Sequence, residues 1–122
     1  MTEFFYDSYA VIEYVNNNPR FFSYFEKHTG VLTIFNVVEI YYSVLSELGG
    51  EKAKSVLDNL YPLMIEPSKE TIRRAMLFRQ HHKKKNLSYA DCIGYQLALD
   101  REIRFLTGDK EFKILPHVEF VQ

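Results

Sequence analysis

Four acids of this 122-residue chain fall at points from which one site can be built: Asp7, Glu39, Asp91 and Asp109. Asp7 closes the short aromatic run that begins at Glu3, and Asp109 closes the apolar run Phe105–Leu106. Both therefore read as acids just past the carboxyl end of a strand. Asp91 falls in the first turn of a segment with helical periodicity, and Glu39 stands near the start of another. In an open, mostly parallel sheet, ligands bind outside the carboxyl ends of the strands, so all four acids would face one edge. Four crowded carboxylates repel, and some hold protons unless a cation is present. Donors that are all oxygen select a hard divalent ion, Mg²⁺ or Mn²⁺. Such an ion polarises a phosphate oxygen and lowers the pKa of a water. The chain offers no covalent nucleophile with a matching base, so hydrolysis by metal-activated water is the simplest chemistry.

Each acid also has a plainer reading. Glu39 comes three residues after Asn36, and Asp91 three after Ser88, the spacing of a capping box. Asp7 and Asp109 can be strand-exit turn residues. The coincidence of all four favours a site.

The elements that must position these acids follow from periodicity and from breaks. Glu3–Tyr6 reads as a first strand. Ala10, Val11, Tyr14 and Val15 give a helix that ends at Asn16-Asn17-Asn18-Pro19. Phe21, Phe22, Tyr24 and Phe25 give a short aromatic helix, either core or a surface for a partner. Val31–Phe35 reads as a second strand. Asn36 caps a helix with an apolar stripe to Leu48, and Ala53–Leu60 makes the next. Leu63–Ile65 reads as a third strand. Ser68 opens a helix expected to run to about Lys85, and Ser88 caps the central helix, at whose far end Asp100 and Glu102 read as solvated. Val118–Val121 is the last strand. Strands and helices alternate, which predicts an α/β fold of three layers, α/β/α, around a mostly parallel sheet.

Composition narrows the classes. The length suits one domain spanning 1–122 with a real core. Ten Phe and nine Tyr rule out a disordered chain. No apolar run approaches the ~20 residues of a membrane span. The first residues lack a basic segment and an apolar core, so a cytoplasmic protein without a signal peptide is expected. The single cysteine, Cys92, excludes an internal disulfide and reads as a buried structural thiol.

Net charge is −1, but its distribution is uneven. Seven of the fifteen Lys and Arg residues lie between Lys69 and Lys85. The run His81-His82-Lys83-Lys84-Lys85 can serve the helix dipole or lie solvated. It can also hold a phosphate backbone, because the chain reaches Ser88 and Asp91 within a few residues. Arg79, Lys83, Lys84 and Lys85 are the candidates for that contact.

Taken together, Asp7-Ser8 after the first strand, Glu39 within Asn36-Val-Val-Glu-Ile, Asp91 within Leu87-Ser-Tyr-Ala-Asp-Cys-Ile, and Thr107-Gly-Asp109 resemble the PIN-domain ribonucleases. The resemblance is to the small single-domain kind that includes the VapC toxins, and spans nearly the whole chain. The resemblance implies an endoribonuclease that uses Mg²⁺ or Mn²⁺, with Asp7, Glu39, Asp91 and Asp109 as its acids. It makes Ser8 and Thr107 supports of the ion or its water shell. It further implies a toxin–antitoxin role, a homodimer and an antitoxin peptide that covers the site. The helices at Phe21–Phe25 and Ala53–Tyr61 are the expected surfaces for that peptide. Two departures stand out: Tyr9 follows Asp7-Ser8 where family members have a small residue, and Cys92 follows Asp91 where many have Ala. Tyr9 would narrow the mouth of the site.

Two rival readings come from other classes. One is a PIN-fold scaffold that binds RNA or a protein without cutting. The other is a phospho-acceptor receiver domain, of similar length and fold. A receiver needs an acidic pair after the first strand and an Asp after the third, whereas this chain has Asp7 alone and Glu66-Pro67.

Overall fold

The computed structural model describes residues 1–122. Four short strands form the sheet: β1 (Glu3–Tyr6), β2 (Thr29–Val31), β3 (Arg104–Thr107) and β4 (Val118–Phe120). Six helices surround it: α1 (Ser8–Val15), α2 (Phe22–Glu26), α3 (Ile34–Leu48), α4 (Gly50–Leu60), α5 (Lys69–His81) and α6 (Tyr89–Asp100). The strand order is β2-β1-β3-β4, with every pairing parallel. This is the three-layer α/β/α arrangement expected.

Alternation along the strands sorts the two layers. Phe5 and Phe105 stack with ring centroids 5.7 Å apart and face α6, where Tyr95 meets Phe105 edge-on. Phe4 and Tyr6 point the other way, onto Tyr24 and Phe25 of α2. The helix layer over Phe5 sits close because Gly94 lies at the contact. A Cβ there would stand 2.5 Å from the Phe5 ring and 3.2 Å from that of Phe105. Phe5 and Phe105 are fully buried; truncating such a Phe to Ala costs about 3–5 kcal/mol.

The site follows from the topology. From β1 the chain turns to β2 on one side, then returns through four helices to β3 on the other. The crevice outside the carboxyl ends of β1 and β3 is therefore a switch point, where open α/β sheets bind ligands. Tyr6 pairs with Leu106 in register, and the Asp7 N–H donates to the Leu106 carbonyl at 3.1 Å. Asp7 and the Thr107–Asp109 exit are thus held side by side.

Four local expectations are corrected. Leu63–Ile65 is no strand; it keeps one parallel bridge, Leu32 to Met64, after a 3-10 turn at Tyr61–Leu63. The second strand ends at Val31, and α3 starts at Ile34, two residues before Asn36. Thr33 is its cap, with Asn36 as the third helical residue in a reciprocal box. Helix α5 stops at His81 and not near Lys85, because His82 leaves helical geometry. Its ring packs on Phe78 at 4.2 Å and its Nδ1 bonds the Phe78 carbonyl, which satisfies an end-of-helix group locally. Asp100, expected to be solvated, instead accepts from Thr71, Arg74 and Gln96 and ties α5 to α6. No helix is long and apolar enough to cross a membrane.

Candidate active site

Asp7 is 2% exposed, caps α1, and spends both carboxylate oxygens on the protein. The Ser8 N–H donates to Oδ1 at 2.9 Å, and the Thr107 hydroxyl to Oδ2 at 2.7 Å. Thr107 Oγ1 in turn accepts the Asp109 N–H at 3.0 Å. Asp109 then uses Oδ1 to cap the short turn at Lys110–Phe112. A buried hydroxyl therefore links two of the acids through the exit of β3. Gly108, between them, leaves room for the Tyr9 ring, which a Cβ would strike. The Tyr9 ring thus lies against the Thr107–Asp109 exit and is 42% exposed.

Asp91 is the third helical residue of α6 and completes a capping box with Ser88. Its Oδ2 accepts the Ser88 N–H at 2.8 Å. The capping expectation for Asp91 is correct, and it leaves Oδ1 without a partner from the protein.

Glu39 differs. The shift of the α3 cap to Thr33 puts it in the second turn, where it caps nothing. It accepts instead from the Ser8 hydroxyl at 2.7 Å. Ser8 is fixed from behind by the Asn36 amide at 3.0 Å, and Asn36 Oδ1 takes both the N–H and the hydroxyl of Thr33. Thr33 and Asn36 are fully buried. This polar string, Thr33–Asn36–Ser8–Glu39, was not read from the sequence, because Asn36 looked like a cap on the surface. The signal was present: Thr33-x-x-Asn36 is itself a capping pattern, set one turn earlier.

The four acids interact through space. Burial first, then the charge of Asp91 and more weakly that of Asp109, push the Asp7 carboxyl up to about 8, against the pull of its two hydrogen bonds. Asp91 is raised too, by its own burial and then by Glu39 and Asp109, while Ser88 opposes the rise. No Lys or Arg forms an ion pair with any of the four. The repulsion is thus uncompensated by the protein, and the donors are all oxygen, the set that a hard divalent ion satisfies. As the side chains stand, no three of them surround a common point closely enough to hold an ion. The partner-free oxygens of Glu39, Asp91 and Asp109 are the ones available to turn inward.

The basic candidates divide. Arg79, Lys83 and Lys85 line a cleft of about 580 Å³ with Arg73, His82 and Leu87. Within it, Arg79 Nε donates to the Leu87 carbonyl at 3.2 Å, and its guanidinium lies 4.5 Å from the centre of the Tyr89 ring. Lys85 reaches the Glu111 carbonyl at 3.0 Å and its carboxylate at 3.8 Å. Of the four candidates for phosphate contact, only Lys83 and Lys84 are without such partners. Cys92 is fully buried, and burial pushes its thiol up to about 11, so it is no nucleophile.

The aromatic helix divides as well. Phe21 is buried core, whereas Phe22 and Phe25 are half-buried and border a groove of about 440 Å³. Across it stand Val56 and Leu60 of α4, so the two helices expected to meet a partner share one groove.

No curated protein sequence matches the chain. Among solved structures, VapC20 of Mycobacterium tuberculosis, described as a sarcin-ricin loop cleaving toxin, superposes with a TM-score of 0.80. Identity is 12%, over 98% of this chain and 99% of that one. A toxin–antitoxin complex from Klebsiella pneumoniae gives a TM-score of 0.75 at 17% identity, over 98% and 96%. VapBC2 of Rickettsia felis, bound to a DNA fragment from its promoter, gives 0.74 at 16%, over 98% of both chains. At such identities the likeness is one of fold. The family model for the PIN domain, however, matches residues 4–118, from the first strand to the last. With the switch-point acids in place and nearly the whole sequence matched, the chain belongs to the PIN domain family.

Proposed function

We propose that the chain is a Mg²⁺- or Mn²⁺-dependent endoribonuclease, working as one unit over 1–122 in the cytoplasm as the toxin of a toxin–antitoxin pair. The observation that carries this reading is the buried Asp7 carboxyl beside Asp91 and Asp109 with no cationic partner. Asp7, Asp91 and Asp109 would hold the ion, joined by Glu39. When bound, the ion supplies charge stabilisation at a phosphate oxygen and a more acidic water.

The chain's own residues do the rest. Thr107 and the Ser8 N–H fix Asp7, so its oxygens stay in place without help from solvent. Ser8 holds one Glu39 oxygen, and the other is free to orient water and to accept its proton as phosphorus is attacked. Lys83 and Lys84 supply positive charge for an RNA backbone. The groove between α2 and α4 suits an apolar antitoxin segment, and the solved toxin–antitoxin complexes of the same fold support such a partner. Tyr42, Leu45 and Leu48, exposed along the distal half of α3, are the proposed contact of a homodimer.

One observation favours a second reading, a PIN-fold scaffold that binds without cutting: the carboxylates are not gathered around one point. Cleavage of a labelled RNA with and without Mn²⁺, by the wild type and by Asp91→Asn, separates the two. Metal-dependent cleavage that the variant lacks supports the nuclease. Binding without cleavage at any metal concentration supports the scaffold.

A further inference from the structure

Beside the acids lies a feature that metal chemistry does not use. A cleft of about 400 Å³ runs between the start of α3 and the start of α6, walled by Ile34, Phe35, Val38 and Tyr89. Its rim includes Glu39 and Ser88, and Ser88 is the residue bonded to Asp91. The cleft therefore borders Glu39 directly and lies one hydrogen bond, through Ser88, from Asp91. Its apolar walls are in water: Phe35 is 42% exposed, and Val38 and Tyr89 are both 61% exposed.

Tyr89 is also pre-set. The Arg79 guanidinium covers its ring at 4.5 Å, and that guanidinium is itself tied to the Leu87 carbonyl. A ring held in this way loses little freedom when something flat settles on it. Arg79 also belongs to the basic cleft with Lys83, so positive charge begins where the apolar wall ends.

An occupant must offer a flat apolar face to Tyr89 and Phe35, and negative charge towards Arg79. A nucleotide of single-stranded RNA does both, since unpaired bases are held by stacking on aromatic rings while the backbone follows positive charge. A second copy of the chain would instead bury the Glu39 carboxylate in a dry contact without a cation.

We propose that the Phe35–Tyr89 cleft seats the nucleobase next to the phosphate that is cut, making Tyr89 a positioning residue for RNA. The proposal rests on the ribonuclease reading above and adds to it the place where a base is gripped.

The test is an abasic walk. Short single-stranded RNAs, each lacking one base, are titrated in EDTA against the wild type, Tyr89→Ala, Tyr89→Phe and Phe35→Ala, with sedimentation run beside them. Loss of one stacked base weakens binding by roughly 5- to 150-fold. The wild type is expected to lose that factor at one position of the walk. Tyr89→Ala should lose a similar factor on intact RNA and nothing more at that position, while Tyr89→Phe behaves as wild type. Both positions are exposed, so the variants should fold. The walk on the wild type decides even if one variant does not.

Equal affinity of Tyr89→Ala, Phe35→Ala and wild type for intact RNA overturns the proposal. So does a change in sedimenting mass with RNA affinity kept, which would assign the cleft to a second copy. If the wild type still cleaves RNA with Mn²⁺ in either case, only this inference has failed. If the wild type neither binds nor cleaves RNA, the ribonuclease reading has failed and takes this one with it.

Discussion

Ser8 Oγ and Glu39 Oε1 stand 2.7 Å apart across 31 residues of sequence, joining the first turn of α1 to the second turn of α3. The bond fixes one Glu39 oxygen and leaves the other without a protein partner, while the Asp91 carboxyl feels the Glu39 charge. A Gln at 39 keeps the shape and can still accept from Ser8. Glu39→Gln should therefore leave stability within about 1 kcal/mol of wild type, the difference between a charge-assisted and a neutral hydrogen bond. Cleavage of RNA should fall by orders of magnitude. Urea unfolding and a cleavage assay on one preparation check both, and near-normal cleavage would remove Glu39 from the chemistry.

Asn36 holds that bond from behind and is fully buried. Asn36→Ala strands the Thr33 hydroxyl and removes the donor to Ser8. The expected cost is roughly 1–3 kcal/mol for each buried group left unpaired. Thermal unfolding measures it, and a loss below ~0.5 kcal/mol would show that the string is dispensable.

Asp7 gives the apo protein a pH dependence of definite sign. Its folded carboxyl is pushed up to about 8, so between pH 4 and 8 the folded chain keeps a proton that the unfolded chain releases. This contribution to stability is complete below about pH 4 and disappears as pH rises through 8. Asp91, also raised, adds in the same direction. In EDTA the melting temperature should fall from pH 5 to pH 8.5, and Asp7→Asn should flatten the fall. A melting temperature that rises over that range would contradict the burial and crowding described here.

The basic run should act unevenly. Lys85 is engaged with Glu111, whereas Lys83 and Lys84 are free. Replacing Lys83 and Lys84 with Gln should lower the salt slope of single-stranded RNA binding by roughly 0.7 for each lost contact. Lys85→Gln should change the slope less. An unchanged slope in the double variant would return the run to solvent.

How far the sequence could be read follows from the range of the forces involved. The sheet-and-helix order was legible because strand runs such as Glu3–Tyr6 and the stripe of α6 are local patterns. Asp7 and Asp109 were legible as strand exits for the same reason. The start of α3 was not, since Thr33-x-x-Asn36 and Asn36-x-x-Glu39 are both local capping patterns. What selects the first is Ser8, 28 residues away, which takes the Asn36 amide. Leu63–Ile65 has strand composition but finds only Leu32 to pair with, so tertiary context overrides propensity. The end of α5 was misjudged because a run of Lys favours helix, while the His82–Phe78 contact that stops it is one of geometry. Asp100 looked like a solvated end residue, and its partners Thr71 and Arg74 lie on another helix.

The central claim is that the four carboxylates take up a divalent cation. It is tested most directly by melting the protein at pH 8 with and without millimolar Mn²⁺ or Mg²⁺, beside Asp91→Asn and Asp109→Asn. At a hundredfold excess over Kd, binding to the folded state adds about 2.7 kcal/mol, a rise in Tm on the order of 10 °C for a chain of this size. The account predicts such a rise for the wild type, its loss or sharp reduction in both variants, and apo variants at least as stable as apo wild type. A wild-type melting temperature that either ion leaves unmoved would contradict it.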